Sequence, residues 1–182
     1  MDRIEVYWKA LGTAGFEHCV VESDGDGIRA DGIFLRNENG AGWRTRYELR
    51  FDRAWRAREV RVESLDGATS LHMHSDGGGT WRDARERMLV DLHDCVDVDI
   101  MATPFPNGAA IERLALAPGQ SAVIQAAYIE LPRLSVVRMP QRYTRLDARR
   151  YRYESLRSEF SAELVLDANG IVASFEGIWE QV

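Results

Sequence analysis

The stretch Trp43-Arg44-Thr45-Arg46-Tyr47-Glu48-Leu49-Arg50-Phe51-Asp52 alternates without a break, with Trp43, Tyr47, Leu49 and Phe51 on one side and charged residues on the other. Only an extended strand with one face in a core and one in water satisfies a period of two; a helix would scatter these apolar residues around its circumference. The same rhythm sets Val60 and Val62 against Glu59, Arg61 and Glu63, then Leu71 and Met73 against His72 and His74. Asp66-Gly67 and Asp76-Gly77-Gly78-Gly79 punctuate these runs as turns, and together they predict an antiparallel meander. Two earlier strands, Glu17 to Ser23 and Gly27 to Arg36, are joined by Asp24-Gly25-Asp26-Gly27, whose glycines suit a tight turn.

After Trp81 the rhythm fails. Arg82 to Asp94 reads as a loop or a short helix, Thr103-Pro104-Phe105-Pro106-Asn107 cannot occupy a central strand, and Ala109 to Leu116 fits a short helix or a strand. Period two resumes with Ser121 to Leu131, Ser135 to Leu146, Arg150 to Glu154, Phe160 to Asp167 and Ile171 to Trp179. Asp167-Ala168-Asn169-Gly170 marks a hairpin between the last two. About a dozen strands without a long helical period must curl or double over to cover their apolar face, which predicts a barrel, roll or sandwich. At 182 residues one domain over residues 1–182 is expected, burying about two-thirds of its unfolded surface.

Composition narrows the partners. A formal net charge of -6 opposes general attraction to nucleic acid or an anionic membrane surface. Lys9 is the only lysine, a bias that GC-rich codon usage explains, so single arginines carry little functional weight. Cys19 and Cys95 have no metal-binding spacing and read as reduced, buried thiols. The start Met1-Asp2-Arg3-Ile4-Glu5 lacks an export signal, and the uncharged run nearest in length to a membrane span is broken by Pro118-Gly119, so a cytoplasmic location without a transmembrane segment is expected.

Three constellations could carry chemistry. In Cys95-Val96-Asp97-Val98-Asp99-Ile100, an extended backbone points Val96, Val98 and Ile100 to the core and sets Asp97 and Asp99 about 6 to 7 Å apart on the other face. These carboxylates could be solvent-exposed, pair with Arg113 or Arg142, chelate a hard cation with Asn107, or include a protonated general acid. His72 and His74 share a strand face with Asp76 or His93 within possible reach, but a solvated charged face is the better reading and no metal is expected. Gln141-Arg142-Tyr143-Thr144-Arg145 and Tyr151-Arg152-Tyr153-Glu154-Ser155 interleave tyrosine with arginine on what should be paired strands. Tyr143, Tyr151 and Tyr153 then line one face and Arg142, Arg150 and Arg152 the other. That pattern suits either cross-strand packing or the grip of a sugar-bearing or anionic head group. Nucleophile elbows, zinc-protease helices and phosphate-binding loops have no match in the chain.

Taken in order, Gly79-Thr80-Trp81, the Cys95–Ile100 run, Thr103–Asn107, Gln141-Arg142-Tyr143, Tyr151–Ser155 and Phe160-Ser161-Ala162-Glu163-Leu164 resemble the bacterial family labelled putative glycolipid-binding. The chain departs from that pattern at Pro106, where a small hydroxyl residue is expected, and in its ending Glu180-Gln181-Val182. The resemblance implies a mainly β fold, a many-stranded antiparallel curled sheet or spiral β-roll like a half-open barrel with an irregular central segment, similar in outline to bacterial lipoprotein carriers. It also implies that a glycolipid or other amphiphilic small molecule is bound in the concavity. The residues expected to serve that binding are Trp81, Asp97, Asp99, Asn107, Arg113, Gln141, Tyr143, Tyr151 and Tyr153. No cofactor is expected. The alternatives are a carbohydrate-active enzyme using Asp97 or Asp99 as acid or base, and a structural or partner-binding domain.

Overall fold

The computed structural model describes residues 2–38 and 40–182. An amino-terminal meander runs through β1 (Asp2–Ala10), β2 (Ala14–Ser23), β3 (Ile28–Glu38), β4 (Ala41–Phe51), β5 (Ala57–Ser64), β6 (Ser70–Ser75) and β7 (Trp81–Asp83). A 3₁₀ turn at Val90–Leu92, strand β8 (Asp97–Ile100) and helix α1 (Phe105–Leu114) follow. A second meander comprises β9 (Ser121–Glu130), β10 (Ser135–Arg145), β11 (Arg150–Ser155), β12 (Ser161–Leu166), β13 (Val172–Phe175) and β14 (Trp179–Gln181). Pairing of β14 with β1 joins the two meanders into one 14-stranded sheet with the order β7-β6-β5-β4-β3-β2-β1-β14-β13-β12-β11-β10-β9-β8. All these pairings are antiparallel except β8 with β9. The expected mainly β, curled, half-open architecture is therefore the one observed.

The alternation that announced β4 survives folding: Thr45, Tyr47, Leu49 and Phe51 are buried while Arg44, Arg46 and Arg50 are exposed. Three boundaries differ from expectation. The meander begins one strand earlier, at β1, where the inward Val6 and Trp8 alternate with an outward Tyr7 that blurs the sequence pattern. The single strand expected over Ile171 to Trp179 is two, β13 and β14, divided by a turn at Glu176-Gly177-Ile178 with Gly177 at φ 71°. The ambiguous Ala109–Leu116 segment is helical as far as Leu114 and to that point belongs to α1, which starts earlier, with Pro106 in its first turn, where a missing N–H breaks no intrahelical bond.

The sheet curls around α1. Phe105 to Ile111 are all buried, and the helix touches both halves of the molecule. The Phe105 ring lies 6.1 Å from Phe51 of β4, Gly108 packs against Val172 of β13, and Asn107 meets Tyr143 of β10. The space under the sheet is thus largely filled from within. At the open edges, the segment entering β8 is stitched to the first meander: the Trp81 indole donates to the Cys95 carbonyl at 2.6 Å, Asp94 N–H to Gly79 at 3.1 Å, and Ala57 N–H to Val96 at 3.2 Å. Gly79, at φ 94°, allows this approach, because a Cβ there would stand 2.7 Å from Asp94 Cα. Among the described residues, no helix is long and apolar enough to cross a membrane.

Candidate functional site

Strand directions alternate through the sheet, so the turns after β1, β9, β11 and β13 and the segment after β8 gather at one end of the roll. A cavity of about 230 Å³ opens there. Its polar wall is Asp99 of β8, Thr103, and Asn107 of α1; its aromatic wall is Tyr128, Tyr153, Phe160, Phe175 and Trp179. Met101, Leu156 and Phe160 are exposed at this end, so the mouth has an apolar rim.

Strand β8 is buried on both faces, paired with β9 and packed against α1, so of the outcomes left open for its carboxylates solvent exposure is the one not observed. Asp97 and Asp99 share one of those faces at 4% and 6% exposure, and each has its own partner. Arg113, in the last turn of α1, clamps Asp97 through two hydrogen bonds of 2.6 Å. Burial still raises the Asp97 carboxyl above its ordinary range, with the guanidinium pulling the other way. Gln141 Nε2 donates to Asp99 Oδ2 at 2.6 Å, and the Tyr143 hydroxyl donates to Asn107 Oδ1 at 3.0 Å with Gln141 Oε1 at 3.3 Å. Burial pushes Asp99 up to about 6, opposed by the Gln141 bond and helped by the neighbouring charge of Asp97.

The sequence-derived set therefore divides by place. Asp99, Asn107 and Tyr153 line the cavity, while Gln141 and Tyr143 stand behind them and hold them in position. Tyr143 and Tyr153 are directly paired across β10 and β11, with rings edge-on at 5.4 Å, and Arg142 and Arg152 face outward as expected. Tyr151 lies under the Arg145 guanidinium instead, outside the cavity wall. Asp97 and Arg113 form a closed ion pair, and Trp81 bridges the sheet edges. His72 and His74 face separate carboxylates, Glu59 and Glu86. Among the described residues, no group of three His, Cys, Asp or Glu side chains is arranged to hold a metal.

A family model described as putative glycolipid-binding matches residues 5–181. The chain belongs to that family. The crystal structure of a DUF1089 family protein from Pseudomonas aeruginosa is similar to this chain, with 38% identity, coverage of 92% of each chain and a TM-score of 0.83. Comparison with curated proteins gave no match.

Within this family member, sequence reasoning passed over a second polar centre. Glu17 of β2 is 0% exposed. Its Oε1 accepts hydrogen bonds from Tyr47 Oη and Thr103 Oγ1, each at 2.6 Å, while Oε2 has no partner. Burial pushes this carboxyl up to about 8 against the two hydroxyl donors. Thr103 ties the centre to the cavity, because its side chain lines that space and also accepts the Phe105 N–H at the start of α1. Tyr47 reaches Glu17 by crossing Gly32, where a Cβ would lie 2.2 Å from the ring. A signal was available: Glu17 shares the inward parity of Cys19 and Val21, so a charged residue occupies a core position of the period. Tyr128, Phe175 and Trp179 were passed over because each looks like ordinary strand core.

Proposed function

We propose that the chain binds an amphiphile of the glycolipid class by its polar head, with a sugar ring entering the cavity and the apolar chain leaving over the rim. The observation that carries this reading is the composition of the cavity: a carboxyl, an amide and a hydroxyl from Asp99, Asn107 and Thr103 face Tyr153, Phe175 and Trp179. Convergent polar groups opposite aromatic faces match the two surfaces of a sugar, its hydroxyl edge and its apolar face. A volume of about 230 Å³ lies below the roughly 300 to 1,000 Å³ of drug-sized ligand pockets, which supports entry of a head group rather than burial of a whole lipid. The exposed Met101, Leu156 and Phe160 give the chain an apolar path at the mouth.

The acid–base alternative, an enzyme using Asp97 or Asp99 on a carbohydrate, draws on the two carboxylates acting as a pair. With Asp97 held by Arg113, only Asp99 faces the cavity, so the geometry favours binding. Titration calorimetry with decyl β-glucoside below its micelle concentration tests the reading. Saturable binding by the wild type that falls about tenfold or more in Asp99→Ala is expected; absence of heat and of any co-purified lipid by native mass spectrometry would reject it.

A further inference from the structure

Arg36 stands apart from the other inward-facing residues of β3. Ala30 and Phe34 are apolar core, whereas Arg36 carries a full charge to the mouth end of the roll. Its guanidinium carbon lies 5.8 Å from the centroid of Trp179, and its charge reaches Tyr128; both rings are cavity walls. Tyr128 also feels Asp99 and Glu130, with the opposite sign.

Several other arginines have carboxylate partners: in the sheet Arg29 has Glu22, Asp31 and Glu48 and Arg46 has Asp31, and on α1 Arg113 has Asp97. Arg36 forms no ion pair with any described side chain, and its Nε, shut off from water, has no hydrogen-bond partner. A buried donor left unmade is costly, and stacking on tryptophan covers only the face of a guanidinium, leaving its in-plane donors for an anion. One cation thus stands against the wall of a sugar-sized cavity.

We infer that Arg36 binds the anionic group of an acidic amphiphile whose head enters the cavity and whose chain leaves over the apolar rim of Met101, Leu156 and Phe160, an assignment that rests on the cavity being the head-group site. Asp99 then receives the sugar hydroxyls. This narrows the ligand from glycolipids at large to those bearing a carboxylate, phosphate or sulfate near the head.

Calorimetry with decyl β-glucuronide, decyl β-glucoside and free glucuronate separates these elements, using wild type, Arg36→Gln, Arg36→Lys and the exposed control Arg152→Gln. The wild type should bind the glucuronide about ten- to a hundredfold more tightly than the glucoside, the range expected for a charge-assisted contact. That preference should disappear in Arg36→Gln, persist in part in Arg36→Lys, remain in Arg152→Gln, and shrink as salt is added. Should Arg36→Gln not fold, the wild-type preference and its salt dependence still decide. Equal binding of the two glycosides, or a preference surviving in a folded Arg36→Gln, overturns the role of Arg36 while leaving the head-group reading intact. Free glucuronate binding as tightly as decyl β-glucuronide, which carries the same charge, overturns the lipid part, and no binding of any probe overturns both.

Discussion

Glu17 has no cation beside it, and its two hydrogen-bond donors are hydroxyls on a single oxygen. In such a setting the neutral acid is the stable form at pH 7. The sign of the consequence follows from proton binding. The folded carboxyl, at about 8 against an ordinary 4.5, holds its proton over a range in which the unfolded chain has lost it. Stability from this group is complete below about pH 4.5 and declines through about pH 8, by an amount on the order of a few kcal/mol. Thermal unfolding from pH 5 to 9 should show this loss in the wild type, and Glu17→Gln should flatten the curve and be the more stable protein at pH 8.5. An unchanged slope in the variant would mean that another group titrates. Gly32→Ala should lower stability by about 1 to 3 kcal/mol in chemical denaturation, because its Cβ would enter the Tyr47 ring and push the phenol from Glu17. Both residues were partly legible in the sequence: Glu17 through its parity, Gly32 only as an unexplained glycine in a strand. What periodicity could not say was that Tyr47 and Thr103, 56 residues apart, converge on one carboxyl.

The strands were legible wherever one face meets water, as in β4, β5 and β11, because alternation records that contrast directly. It misleads for β8, where the alternating Asp97 and Asp99 are buried like their apolar neighbours, and fades for β1, where the outward Tyr7 is aromatic. Helix α1 was hidden for a similar reason: Phe105–Ile111 are buried all round, so no polar stripe marks a helical period. Two contacts hold these less legible elements. Arg113→Ala would leave the Asp97 carboxylate buried without its partner, and a loss of about 3 to 5 kcal/mol is expected by urea denaturation. Trp81→Phe removes the indole bond that ties the sheet's open edge to Cys95, and should cost about 1 kcal/mol. Faster amide exchange confined to residues 94–97 would identify the edge as the part that loosens; uniform acceleration would instead indicate global destabilisation.

At the scale of the whole molecule, a 14-stranded sheet, its two edges tied by a few hydrogen bonds and not by a strand ladder, curls around its own helix and leaves about 230 Å³ open at one end. The sequence placed polar and aromatic residues in the right neighbourhood, since Asp99, Asn107 and Tyr153 do meet at that opening. It did not reveal that α1 packs into the concavity, which under the proposed function leaves room at the opening for a head group. The helix also explains why Asp97, two residues from Asp99, takes no part: its partner Arg113 arrives on that helix. The most direct test is amide and side-chain NMR shift mapping with decyl β-glucoside. The account predicts saturable shifts centred on Thr103, Asn107, Tyr128, Tyr153 and the Trp179 indole; shifts centred elsewhere, or none at saturating ligand, would contradict it.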